Sequence, residues 1–410
     1  MLAFALMLGC VSIGQAQSDP YGTSFGIGEM VNYDSNFFRL PQGAGGSNTP
    51  GETSYDTYLV GTFHQVYSRQ EVTASANIGR VLDTHYKQFD FTQESIRAAL
   101  QSSLPYNIAT NLDVSRTMSL AHFADIGVSN RNVITSNHAG ASADFPLTVD
   151  FRAVLGGSVS QTRNSAGNFS ATDFNYTDVN GGIRYQPTTG NHIDLLAHSD
   201  LSQYPNASAG VYFLPNAFLG PSFRERGADL KIDWTFSGFS HANGRAGFVQ
   251  RRDDFLTYAD PLTGQPRKLD VGFSGPAYDL SYTWAATTIT RLTISVSRQT
   301  GAAGDNSYLM AVSKSVRVSP SYQASSKIAF DAFAEFLQRN YLNSVYEVLF
   351  AAAPGTIRQD RGHNAGLHAL WAPWRWFQTS LDLHREIRTS TIPSWNYADK
   401  SASLNIQGNF

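Results

Sequence analysis

Polar and apolar residues alternate again and again along this chain, yet past its N-terminal segment no apolar run reaches the roughly 18 residues that a membrane-spanning helix needs. Leu147, Val149, Phe151, Ala153 and Leu155 alternate with Thr148, Asp150 and Arg152. Leu280, Tyr282 and Trp284 oppose Asp279, Ser281 and Thr283, and Leu292, Ile294 and Val296 oppose Arg291, Thr293 and Ser295. Phe377, Thr379, Leu381 and Leu383 stand against Gln378, Ser380, Asp382 and His384. A period of two is the side-chain period of a strand, so each segment presents one greasy and one polar face.

Charged residues make up 15% of the chain and aromatics 12%, against roughly 25% charged in soluble domains. Such a chain cannot coat its surface with Lys and Glu in the usual way, so lipid is expected on part of it. A membrane protein without spanning helices must be a closed barrel, because lipid offers no partner for a free strand edge. The fold class expected is therefore all-β, a transmembrane antiparallel barrel. The edge strand of a soluble β protein is the plainer reading of any one segment. A net charge of -3 with scattered Lys and Arg excludes a nucleic-acid binder.

Short turns are expected near Tyr67-Ser68-Arg69, Ser103-Leu104-Pro105, Phe145-Pro146, Pro187-Thr188-Thr189, Ser237-Gly238-Phe239, Ala286-Thr287, Ser325-Ser326 and Pro373-Trp374. Between them lie longer polar segments, Ser165 to Thr172, Gln203 to Pro221, Asp260 to Lys268 and Ala351 to Asp360. Short turns at one end and long loops at the other is the sidedness of an outer-membrane barrel. Two strands per turn, with a first strand over Ser24 to Phe38 and a last over Trp395 to Phe410, make about eighteen strands, sixteen being the runner-up. An even number puts both termini in the periplasm. Trp371, Trp374, Trp376 and Trp395, near strand ends, suit interfacial aromatic girdles.

Residues 1–16 read as a signal peptide that lacks a basic opening, leaving 17–410 as a single barrel domain. Cys10 falls in that segment, where acylation is the alternative, and the mature chain then has no cysteine for disulfide or thiol chemistry. The closing stretch SASLNIQGNF places Ala402, Leu404, Ile406, Gly408 and Phe410 on one face. A last strand ending on Phe resembles the signal read by the barrel-insertion machinery, with Leu404, Ile406 and Phe410 carrying it.

The stretch YDSNFFRLPQG is the most distinctive, and with SYQASSKIAFDAF it resembles the EpsL-type outer-membrane barrels of exosortase-linked exopolysaccharide clusters. Their early Asp-x-Asn-x-x-Arg-Leu element is matched by Asp34, Asn36, Arg39 and Leu40. The resemblance implies a passage for a secreted polysaccharide or a part in its assembly, with polysaccharide and periplasmic export proteins as partners beside outer-membrane lipid. Physically, Asp34 and Arg39 can pair and Asn36 can cap a turn, a structural role weighed equally with sugar contact.

In NHIDLLAHSD, His192, Asp194, His198 and Asp200 share one strand face, but residues six apart lie about 20 Å apart. His192 and His198 therefore cannot share an ion, no third ligand is identifiable, and no metal is expected. No Gly-x-Ser-x-Gly elbow is present, and Gly43-Ala44-Gly45-Gly46 follows no strand-to-helix pattern, so neither enzyme nor cofactor is expected. The lumen face is expected to carry Asp150, Arg152, Asp194, Asp200, Asp229, Lys231, Asp233, Asp279, Arg291, Asp331, Glu335, Asp382, His384, Glu386 and Arg388. An acidic excess of this kind favours neutral or cationic solutes. Two rivals to polymer export stand beside it. One is a general diffusion porin, whose constriction loop would be Gln203 to Pro221; the other is a plugged scaffold of a secretion complex.

Overall fold

The computed structural model describes residues 22–41, 50–126, 130–188, 190–206, 217–218, 222–253, 256–259, 263, 265–269, 272–301, 308–344 and 357–410. Its strands, in chain order, are β1 (Gly22–Asp34), β2 (Glu52–Tyr67), β3 (Gln70–Asp83), β4 (Phe91–Leu104), β5 (Ile108–Leu120), β6 (Val133–Pro146) and β7 (Phe151–Asn164). There follow β8 (Phe174–Thr188), β9 (Asn191–Gln203), β10 (Ala217–Phe218), β11 (Ser222–Ser237), β12 (Ser240–Asp253), β13 (Leu256–Ala259) and β14 (Pro266–Leu269). The last seven are β15 (Gly272–Trp284), β16 (Thr290–Gly301), β17 (Tyr308–Ser325), β18 (Ile328–Ser344), β19 (Gln359–Trp374), β20 (Phe377–Ser390) and β21 (Tyr397–Asn409).

Eighteen of them form one sheet in which each strand pairs antiparallel with its neighbour in the chain, while β10, β13 and β14 make a separate three-stranded patch. The sheet closes on itself where β1 meets β21, Gly26 opposite Asn409 and Asp34 opposite Ser401. Closure satisfies both edges, as lipid requires. Phe410 continues the seam past the last strand: its N–H donates to the Phe25 carbonyl at 2.7 Å and its carbonyl accepts from Phe25 N–H at 3.2 Å. Gly28 lets the Tyr58 ring lie across β1, since a Cβ at 28 would overlap that ring. The Tyr58 hydroxyl then reaches over the seam and donates to Asn405 Oδ1 at 2.7 Å.

Seven of the eight short turns fall where the sequence puts them, to within a residue or two, while the turn expected at Phe145-Pro146 lies just past them, both residues closing β6. At the β6–β7 turn the expected strand is interrupted: Leu147 to Asp150 form the turn itself, and Val149 is 97% exposed. Thr148 closes it, with Leu147 and Thr148 N–H donating to the Phe151 carbonyl and Phe151 N–H to Thr148 Oγ1. Asp150 is thus a turn residue whose carbonyl accepts from Gln186 N–H, and is not part of a lumen-facing strand. The expected first strand also ends four residues early, because Ser35 to Phe38 turn away at the mouth.

Among the described residues no helix is long and apolar enough to cross a membrane. Outward side chains are apolar through the middle of the wall, with Leu59, Leu195 and Val179 each more than 60% exposed. Aromatics collect outside at the turn end: Trp284, Tyr322, Trp371, Phe236 and Phe239 are exposed there, and Trp374 stacks on Trp376 with centroids 5.3 Å apart. Trp395 marks the other end of the strands. It sits in the β20–β21 loop at the opposite end, with the Arg358 guanidinium 3.6 Å over its ring.

Candidate functional site

The lumen wall is built by the other half of each alternation. Every acidic side chain described on the barrel strands turns inward except Glu29 and Glu94. Glu29 accepts a 2.5 Å hydrogen bond from Thr57 Oγ1, and Glu94 pairs with Arg116 at 3.2 Å. Basic residues divide differently. Arg80, Arg116, Arg224, Arg226, Arg252, Lys314, Arg361, Arg385 and Lys400 are exposed on the outer face, all toward the long-loop end. Long cationic side chains at that level can reach anionic headgroups while their stems stay in the apolar wall.

The distinctive loop motif folds into a latch at the mouth. Asp34 ends β1, and Arg39, in the left-handed conformation with φ 56°, turns back so that its Nη1 donates to both Asp34 oxygens at 2.7 and 2.8 Å. Asn36 is fully buried: its amide donates to the Leu40 and Ala398 carbonyls, its Oδ1 accepts from Leu40 N–H, and its N–H donates to Asp399 Oδ1. Arg39 also lies 3.2 Å from Asp399 and 3.6 Å from Glu386, so one cation serves three carboxylates on β1, β20 and β21. Burial works against the Arg39 charge, yet Asp34, Asp399 and Glu386 together hold its pKa above the ordinary arginine value. Asp34, Asn36, Arg39 and Leu40 are thus brought together in the pairing and turn-capping roles that their chemistry suggests.

Above the latch, aromatic rings from three loops meet. Phe37 and Phe38 pack on Phe89 and on Phe123 at 5.1 to 5.7 Å, with Tyr86 stacked on Phe37. Phe123 opens the short helix α1 (Phe123–Ile126) in the β5–β6 loop, and the adjacent Ala124 carbonyl accepts from Arg388 Nη1 at 2.7 Å. Arg388 is a lumen residue of β20, six strand steps around an eighteen-strand wall from β5, so this loop crosses part of the mouth. Sequence alone points instead to Gln203 to Pro221 as the inward loop. Most of that segment lies outside the described residues, as do residues 1–21, Gly43 to Gly46 and parts of 260–268 and 351–360.

Below the mouth the wall is laced with ion pairs. Arg184 bridges Asp194 (2.7 and 2.8 Å) and Asp144 (2.7 Å), and Arg152 also holds Asp144. His368 pairs with Asp382 at 2.7 Å, His241 with Asp233 at 3.0 Å, and Asn364 donates to Glu335. At the mouth Arg358 binds Asp360 at 2.7 Å while Tyr397 donates to Glu386. Between β15 and β17 runs a ladder of hydroxyls, with Thr283 on Thr293, Ser295 on Ser281 and Ser297 on Ser315. Lys231, Asp279, Arg291, Asp331 and His384 share the inward face by register. Inward charges are of two kinds: the side chains of Arg245, Asp382 and Asp233 are 50%, 41% and 40% exposed, whereas Asp194, Asp200, Asp229 and Arg251 are buried against their neighbours on the wall.

No family model and no curated protein matches the sequence. Among solved structures, the ferric enterobactin receptor (PfeA) of Pseudomonas aeruginosa is similar over 95% of this chain and 82% of that one, with 8% identity and a TM-score of 0.51. OccK2 (OpdF) of the same species is similar over 95% and 97%, with 8% identity and a TM-score of 0.48. OccAB4 of Acinetobacter baumannii is similar over 96% and 99%, with 11% identity and a TM-score of 0.49. What this chain shares with them is the barrel fold.

Proposed function

We propose that this protein is an outer-membrane diffusion channel for small polar solutes, its long loops outside the cell and both ends of the chain in the periplasm. The supporting observation is that Arg245, Asp382 and Asp233 are half-exposed on the inner wall of an eighteen-strand barrel, a width that can keep its lumen wet. The exposed Arg and Lys at the loop end, set against Trp and Phe at the turn end, suit an outer leaflet rich in phosphate. Inward carboxylates outnumber inward cations and focus a negative potential, which favours cations and neutral hydroxylated solutes over anions. Weak contacts from the serine and threonine ladder let such solutes pass without being trapped.

Reconstituted in planar bilayers, the protein is expected to conduct with a preference for potassium over chloride. Converting Asp233 and Asp382 to lysine should shift the reversal potential toward zero while the barrel still assembles. A closed membrane, or a preference for chloride in the unmodified protein, would contradict this reading. Polymer export is the second reading, supported by the motif resemblance and by the same hydroxyl ladder. Under it, a deletion strain loses surface polysaccharide while still making the lipid-linked precursor.

A further inference from the structure

Three carboxylates stand side by side on the lumen wall: Asp178 on β8 faces Asp200 on β9, and Asp200 faces Glu225 on β11. Like charges directly opposite one another destabilise a sheet unless something neutralises them. Asp178 is held by the Asn180 amide at 2.8 Å. Glu225 stands opposite Arg251 on β12, while Asp200, between Asp178 and Glu225, is 7% exposed with an Oδ1 that finds no hydrogen-bond partner among the described residues. Two residues below it, the His198 Nε2 lies 3.9 Å from Asp200 Oδ2. The other ring nitrogen lies 3.0 Å from Asp229 Oδ2, so a small turn of the ring would complete the carboxylate–imidazole pair that aims a histidine's free nitrogen at a metal.

We propose that His198, Asp200 and Glu225 form a binding site for one divalent transition-metal ion of the zinc type. One ligand atom from each lies within 4.8 Å of the other two, close enough to converge on a single ion with small rotamer adjustments. Gly227 makes room for the imidazole, since a Cβ there would stand 2.5 Å from His198 Cε1. Three protein ligands of mixed nitrogen and oxygen type, with a coordination position left to water, suit zinc better than calcium or magnesium, which take oxygen alone. The ion would also offset the carboxylate row. Within NHIDLLAHSD the set is incomplete, because the two histidines are too far apart and Asp194 is taken by Arg184; the third ligand comes from the next long strand.

The test is zinc titration of the whole barrel, folded in detergent, with heat-modifiable migration reporting the fold of every variant. One zinc per chain is expected, undisturbed by a large excess of magnesium. His198→Gln and Glu225→Gln should each weaken binding about 100-fold, and Asp229→Asn about tenfold through loss of ring orientation. Absence of saturable one-to-one binding by the unmodified chain, its displacement by magnesium, or unchanged affinity in folded His198→Gln would overturn the assignment.

Discussion

Replacing Arg39 by alanine is expected to destabilise the barrel by about 3 to 5 kcal/mol, the cost of leaving a buried ion-pair cluster without its cation. The Arg39 side chain is 9% exposed, and the carboxylates it serves are 13% (Asp34), 14% (Glu386) and 0% (Asp399) exposed. Removing one guanidinium thus leaves three clustered acidic groups without their shared cation, and the closing seam between β1 and β21 loses its tie at the mouth. Arg39→Lys keeps the charge but not the planar fork, so an intermediate loss is expected. The measurement is the urea midpoint for folding into lipid vesicles. A change within about 1 kcal/mol, the usual range of exposed pairs, would show that the latch carries no load.

That latch illustrates what the sequence could reveal. Asp34 and Arg39 suggest a pair and Asn36 a cap, because short polar side chains near a strand end bond locally. The participation of Asp399 and Glu386 could not be read, since nothing local links residue 36 to residue 399, 363 positions away. Strand number and turn positions were legible because a two-residue period flips to the wrong face if misplaced by one, a signal repeated in each strand. Asp150 shows the limit of that signal: alternation ran straight through a tight turn whose residues have no Gly to announce it. The third carboxylate beside His198 was hidden for the same reason as Asp399, sheet register being set by the fold. Which end of the barrel Trp395 occupies could not be read, because aromatics at the two strand ends look alike in sequence.

The assignment of faces makes the second large prediction. Leu230 lies midway along β11, half-exposed on the outer wall and flanked by Leu195 and Ala246. Leu230→Arg is expected to cost about 2 to 4 kcal/mol, the depth-dependent penalty for a cation at the middle of a lipid-facing wall. Ser281→Arg, one face over and in the lumen on β15, should cost roughly 1 kcal/mol or less, because water solvates it. Folding into vesicles reports both. Equal losses at the two positions would mean that the outer wall does not meet lipid.

The central claim, a lipid-facing outer wall around a watery lumen, is tested most directly on β15. The sequence has one cysteine, Cys10, far from this strand, so single cysteines can be placed at each residue from Asp279 to Trp284 in a chain lacking it. A charged, water-soluble thiol reagent applied to the barrel in vesicles should label positions 279, 281 and 283 and spare 280, 282 and 284. Labelling without that two-residue alternation, or labelling confined to 280, 282 and 284, would contradict it.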